Sequence, residues 1–479
     1  VAGSPRDGPR ASRYNHATMK YAVPRSSRTD VVWPGVPEGE AALVMALQYQ
    51  FDRSQFWPVT RLRAMQFAQL HQLASHAFRT MPFWRARLSG AGFDPAAPLT
   101  EEIWSRLPVL SRREVQSEGA RLFCLSVPPD HGGISELTTS GSSGMPVRTR
   151  TTRLLQRFWD ALVLRDAIWH DLDLTAKYAI IRNDTAPDAS PPHGRLVPDW
   201  GRAFAGFPTA PAALLDLKRA NTADQVAWLQ REQPAYLMSY PSNLDLLARH
   251  CLAEGIRLPG LRAVRPFGEV VTDEVREVMV TAWGAPVIDA YSAVETGMMA
   301  LQCPHAAANG QVLFHVLSEG LLLEVLSEDG RPCVPGEVGR VVVTQLHNFV
   351  QPLLRYEIGD YVEVGAPCAC GRGLPVLNRI IGKTIDRFVL PNGERHFRTG
   401  VNRLTRSASI IQVQVVQTSR TAMEIRVVLR APLTTAEEAD LRAALIAMLG
   451  HPFDVTVVEV AEIPRHPSGK FRSFISDVT

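Results

Sequence analysis

Five short segments of this 479-residue chain carry side chains suited to chemistry rather than packing. The first is Leu137-Thr138-Thr139-Ser140-Gly141-Ser142-Ser143-Gly144-Met145-Pro146. Small hydroxylated residues interspersed with glycines let backbone N–H groups and hydroxyls close around phosphate oxygens. No Gly-Lys-Ser/Thr follows, so this is not a Walker loop. Taken alone, such a run is equally an ordinary surface turn, because Gly and Ser dominate turns too. The next three are Asp289-Ala290-Tyr291-Ser292-Ala293-Val294-Glu295-Thr296-Gly297, Pro352-Leu353-Leu354-Arg355-Tyr356-Glu357-Ile358-Gly359-Asp360 and Arg379-Ile380-Ile381-Gly382-Lys383-Thr384-Ile385-Asp386. The last, Pro464-Arg465-His466-Pro467-Ser468-Gly469-Lys470-Phe471-Arg472, places a point charge on a flexible stem beside a glycine that frees the backbone. Separately, Cys368-Ala369-Cys370 has a spacing better suited to a metal than to a disulfide.

In this order and over these distances, the five segments resemble the motif series of the adenylate-forming superfamily: acyl-CoA synthetases, peptide-synthetase adenylation domains and luciferases. Tyr240-Pro241-Ser242, Phe267-Gly268-Glu269 and Cys368-Ala369-Cys370-Gly371-Arg372-Gly373-Leu374-Pro375 are similar to marks of its phenylacetate-CoA ligase-like branch, CapK-like proteins included. The resemblance covers roughly residues 40 to 479. It implies ATP-dependent activation of a carboxylic acid to an acyl-adenylate, release of pyrophosphate, and transfer of the acyl group to CoA. Such a site has to stabilise charge on the α-phosphate and on the departing pyrophosphate.

Residue by residue, the resemblance implies that Thr139, Ser140, Gly141, Ser142, Ser143 and Gly144 hold phosphates. Glu295 would bind Mg²⁺, a cation that prefers hard oxygen ligands. Asp360 would take both ribose hydroxyls, as a two-oxygen acceptor can. Asp289, Ala290 and Tyr291 would line the adenine, Tyr291 supplying a flat surface, with Ser292, Glu269 and Lys383 among the other nucleotide contacts. Tyr240, Phe267 and Gly268 would face the acid, expected to be aromatic or otherwise apolar. Lys470 would reach from a small C-terminal domain to the α-phosphate and the attacking carboxylate. Two departures stand out: Lys383 replaces a common Arg, losing its planar fork, and Ile385 occupies an often polar hinge position.

The implied fold also brings Cys303-Pro304-His305 beside Cys368 and Cys370. Three thiolates and one imidazole make a closed tetrahedral zinc site. His305, sharing a short loop with Cys303, is the expected fourth ligand, with His315 in reserve. Cys124, Cys251 and Cys333 have no partners at metal spacing and read as ordinary thiols.

The elements that must position these residues follow from periodicity. Helical spacing runs from Ala41 to Leu88, broken at Pro58. Beyond Pro108, apolar runs at 177–181, 235–239, 286–291, 320–326 and 339–346 alternate with helical patterns such as ADQVAWLQREQ and TDEVREVMVTAW, an α/β organisation. After Gly382 come the strands IIQVQVVQT, EIRVVLR and DVTVVEV and a helix from Thr435 to Met448. The expected plan is thus a flexible extension over 1–35 with Met19 as an alternative start, a large multi-sheet α/β domain over 36–382, and a small mobile α+β domain over 383–479.

Composition narrows the function classes. Fifty-one Lys and Arg against 48 Asp and Glu leave +3, too near balance to favour nucleic acid as a partner. No stretch reaches the ~20 apolar residues of a membrane helix, and no membrane partner is expected. Six cysteines are too few for a disulfide scaffold and fit a reducing, cytoplasmic setting. The acceptor stays open between CoA, favoured, and an amine or carrier-protein thiol, and the oligomeric state stays open too, a homodimer being one option. A catalytically silent nucleotide- or acyl-binding relative is the rival outside enzymes, and the intact Glu295, Asp360 and Lys470 speak against it.

Overall fold

A computed structural model of the chain describes residues 24–31, 33–138, 147–184, 186–383, 387–397, 404, 409–466 and 470–478. Three sheets dominate. In the first, Ala212–Asp216, Tyr178–Arg182, Tyr236–Ser239 and Ala263–Pro266 lie parallel in that spatial order, with Arg195–Val197 antiparallel at one edge. All five residues of Ala212–Asp216 are buried, as a parallel strand covered on both faces requires.

The helices Thr222–Glu232, Pro241–Ala253 and Asp273–Trp283 link or follow these strands. Sequence chemistry fixes their ends: Asn221 and Asp224 form a capping box, Thr272 caps the third helix, and Gly284 ends it in the left-handed conformation. Their apolar stripes supply Val226, Trp228, Leu229, Leu244, Leu247, Val275 and Met279 to one core over the sheet. Each such side chain stabilises the fold by about 1.5–3 kcal/mol on full burial.

The second sheet is antiparallel, in the order Leu321–Leu326, Val338–Gln345, Tyr356–Val364, Val376–Lys383, Phe314–Val316, Gly297–Gln302, Ala290–Ala293. It packs on the N-terminal helices Val59–Thr80 and Pro82–Gly90 through Phe67, Leu70, Leu73 and Trp84. The third sheet, Asp454–Glu459, Ala422–Leu429, Ile410–Gln417 and Phe474–Ser476, carries the helix Thr435–Leu449 and a separate core around Val415, Ile425 and Leu445.

The elements expected from periodicity are present with one shift. Residues 286–291 were expected as a strand, yet the strand spans Ala290–Ala293. Pro286 has no N–H, and residues 286–288 instead touch the parallel sheet through a single bridge, Val264 to Val287. The segment therefore crosses from the edge of the parallel sheet to the edge of the antiparallel one. The expected extension, over 1–35, is tied down in part: Arg25 N–H donates to Gly206 O, and Ser27 N–H to Val36 O. Among the described residues, no helix is long and apolar enough to cross a membrane.

Candidate active site

Two neighbouring parallel strands end side by side, Ser239 paired with Pro266, and the residues that follow them are Tyr240 and Phe267-Gly268-Glu269. Ligands of such sheets bind outside the carboxyl ends of the strands. The rings of Tyr240 and Phe267 lie 4.5 Å apart at 36°. Gly268 has φ +79°, and a Cβ there would stand 3.4 Å from Tyr240 and 3.5 Å from Lys470 Cε. The glycine thus gives the backbone conformation and keeps the space in which Lys470 meets Tyr240. Lys470 and Tyr240, 230 positions apart, share one corner.

Glu269, expected among the nucleotide contacts, has other partners here. Its carboxylate accepts the Ser242 N–H at 3.0 Å, the Ser242 hydroxyl at 3.2 Å and the Phe471 N–H at 2.6 Å. Burial pushes its carboxyl above the usual range, against the pull of these donors and of Arg465.

A second group forms where the crossing segment enters the antiparallel sheet. Asp289 is buried, with its carboxylate on the Ala290 N–H at 2.8 Å and 3.5 Å from Arg276. Burial raises its carboxyl to about 6. Tyr291 donates its hydroxyl to Asp360 at 2.7 Å. Its ring is 6% exposed within the main core, so the open flat surface expected of it is absent from this structure, and its visible contribution is to hold Asp360. Burial and the Asp360 carboxylate keep the Tyr291 hydroxyl protonated, well above its ordinary value.

Glu295 sits in the turn between the strands Ala290–Ala293 and Gly297–Gln302, with Ser292 on the first of them. It pairs with Arg112 at 2.9 Å, and Arg112 also lies 3.4 Å from the Tyr356 hydroxyl. Arg112 went unnoticed in the sequence. Its signal was the Ser111-x-x-Glu114 capping box, which starts a helix at Arg112 and aims its side chain at the sheet.

The cysteine cluster assembles with one correction. Cys303, Cys368, Cys370 and His315 place their ligand atoms within 4.8 Å of one another. His305 is absent from the group, although it shares a loop with Cys303. It lies on the short helix Pro304–Ala308, whereas antiparallel pairing of Phe314–Val316 with Gly297–Gln302 and Val376–Lys383 carries His315 into the cluster. Chain proximity lost to strand pairing. The Cys303 and Cys368 sulfurs are 3.8 Å apart, matching the edge of about 3.8 Å that Zn–S bonds of about 2.3 Å give in a tetrahedron. Cys370 Sγ is 3.2 Å from His315 Nε2, and His315 Nδ1 faces Leu374 O at 3.4 Å. The Cys303 thiol and His315 both pull Cys370 toward thiolate.

The loop Thr139, Ser140, Gly141, Ser142, Ser143, Gly144 lies outside the described residues, as do Ile385, Ser468 and Gly469. The strand Ile134–Thr138 leads into that loop and pairs with Arg148–Thr152 after it. For Lys383 the structure gives the backbone, paired directly across from Asp360.

Residues 395–477 match the CapK C-terminal domain. The chain is 24% identical over 341 residues to the phenylacetate-coenzyme A ligase of Thermus thermophilus, covering 70% of this chain and 73% of that one. It is 26% identical over 268 residues to protein CapK of Staphylococcus aureus, covering 52% of this chain and 54%, about half, of the relative. Among solved structures, a 2-hydroxyisobutyryl-CoA ligase in the postadenylation state in complex with R3-HIB-AMP superposes with a TM-score of 0.70 at 21% identity, over 89% of this chain and 92% of that one. The same ligase in the thioesterification state, over the same shares at 22% identity, scores 0.56. The fold is shared with both. The chain is thus similar to a phenylacetate-coenzyme A ligase and to protein CapK, and it shares the fold of a solved acyl-CoA ligase.

Proposed function

We propose that this protein activates a small carboxylic acid with ATP to an acyl-adenylate, releasing pyrophosphate, and then passes the acyl group to CoA. The observation that carries the reading is the convergence of Lys470 on Gly268, beside Tyr240 and Phe267. A solvated C-terminal lysine has no reason to occupy that corner, whereas a lysine that meets an α-phosphate and a nearby carboxylate does. Asp360, steadied by Tyr291, would take the ribose, and the paired rings of Tyr240 and Phe267 favour a flat or apolar acid. Tyr240 and Phe267 orient that acid, and Lys470 lowers the barrier by opposing charge that develops as its carboxylate attacks.

Glu295 offers a hard, largely buried carboxylate oxygen of the kind Mg²⁺ prefers, and Arg112, which pairs with it here, would share that carboxylate with the ion. When bound, the ion supplies charge neutralisation to the phosphates. Cys303, His315, Cys368 and Cys370 fit zinc by donor set and spacing, and a zinc held there ties the turn after Gly297–Gln302 to the loop after Tyr356–Val364. We also propose a small domain from residue 383 that moves against the large one, and a cytoplasmic setting in keeping with ATP and CoA as substrates. The test is ATP–pyrophosphate exchange over a panel of aryl and short branched acids, then AMP release and thioester formation with and without CoA. Exchange with no acid would sink the reading. Exchange without thioester, with acyl transfer to hydroxylamine or a carrier protein, would move the acceptor and leave the first step standing.

A further inference from the structure

Three segments distant in sequence meet on the Glu269 carboxylate, outside the reacting groups. Glu269 follows the strand Ala263–Pro266 and lies over the first turn of the helix Pro241–Ala253. A helix start has N–H groups without intrahelical partners, and Tyr240 at this one gives no side-chain cap. Glu269 supplies the acceptor from outside: Oε2 takes the Ser242 N–H and Oε1 its hydroxyl. The positive end of the helix favours the carboxylate there.

Oε1 also accepts the backbone N–H of Phe471, the residue after Lys470, at 2.6 Å. Ser242 Oγ in turn accepts from Arg465 Nη1 at 2.8 Å. Between these anchors, His466 N–H donates to Lys470 O at 2.9 Å. Both flanks of Lys470 are therefore pinned to one carboxylate–hydroxyl pair on the large body of the protein. These contacts are side chain to backbone or hydroxyl, so they can part without unfolding either side.

We propose that Glu269, with Ser242 and Arg465, is a latch that positions Lys470 for adenylate formation and releases it for acyl transfer. The inference rests on the adenylation reading above. It assigns Glu269 to the lysine rather than to the nucleotide, and it accounts for an acidic residue directly after Gly268. In this structure the latch is closed. A swing of the C-terminal segment must break the Phe471 and Arg465 bonds together, while the Ser242–Glu269 pair stays behind as an intact helix cap.

The test uses the full chain with Glu269→Gln, Ser242→Ala and Arg465→Met. Pyrophosphate exchange should fall about 10- to 100-fold with the ATP KM within about twofold of wild type, as for a misplaced catalytic group. Thioester formation from chemically prepared acyl-adenylate and CoA should hold or rise. Hydrogen exchange at the Phe471 amide, read on a peptide spanning residues 464–476, should quicken by about tenfold. Equal loss in both half-reactions would mark a general structural role, and a raised ATP KM with unchanged turnover would mark a nucleotide contact; either overturns the latch, as does unchanged amide exchange. Should wild type form no adenylate with any acid, the adenylation reading falls, while the amide-exchange arm still decides whether Glu269 holds Phe471.

Discussion

Tyr291 donates its hydroxyl to Asp360 at 2.7 Å, although three strands lie between theirs in the seven-stranded sheet. In a flat sheet that separation would put the two backbones about 19 Å apart, beyond the joint reach of a tyrosine and an aspartate. The sheet must therefore curl, and the register breaks at Tyr291/Ser292 and Tyr361/Val362 lie beside these two residues. Bulges bend strands in this way. The curl turns the edge strand carrying Asp289-Ala290-Tyr291 toward the one carrying Asp360.

If that bond orients Asp360 for a nucleotide, Tyr291→Phe should raise the ATP KM by about tenfold or more and leave the KM for the acid unchanged. A hydrogen bond to a charged group is worth about 1.5–3 kcal/mol, enough for that effect. The exchange assay at varied ATP reads it directly. An unaltered ATP KM would mean that Asp360 keeps its orientation without the phenol.

Lys470→Ala should lower pyrophosphate exchange by about 100-fold or more while nucleotide binding, followed by calorimetry, stays near wild type. On the proposed reading the lysine contributes charge mainly in the transition state, and the expected ribose and adenine contacts lie elsewhere. Exchange close to wild type would remove Lys470 from the chemistry.

Much of this arrangement is legible in the amino-acid sequence. Alternating apolar runs and helical stripes located the parallel strands, and Pro and Gly marked their ends, because those signals are local. The corner at Gly268 was legible as a set of separate motifs, but its contacts were not: nothing local in the sequence brings the Phe471 N–H to Glu269, a residue expected among the nucleotide contacts. His315 and Arg112 share that history. Each reaches its partner through strand pairing or sheet curl across many residues, and such pairing is set by the whole sheet rather than by neighbours in the chain.

The histidine exchange gives a sharp metal test. Protein prepared without chelator should carry about one zinc per chain. Alanine at His315 should abolish or greatly weaken its retention, and His305→Ala should leave it intact. Loss of the metal should lower Tm by about 5 °C or more, because a cross-link between two loops is lost. Activity per folded molecule should change little. Zinc lost from the His305 variant and kept by the His315 variant would reverse the ligand assignment, and no zinc in wild type would refute the site.

Asp289 should leave a signature in the pH dependence of stability. Burial pushes its carboxyl from 3.8 up to about 6, partly opposed by Arg276, the Ala290 N–H and Arg265. The fold thus favours the protonated form, and the stability it contributes is fully present below about 3.8 and is lost as pH rises through about 6. Asparagine at this position cannot titrate and keeps an acceptor for the Ala290 N–H. Relative to wild type, Asp289→Asn should therefore gain stability between pH 4.5 and 7.5, by on the order of 2–3 kcal/mol. Any constant cost from weakening the Arg276 contact shifts the whole difference without changing its slope. Urea denaturation of both proteins across that range measures the slope, and two parallel curves would show that Asp289 stays ionised throughout.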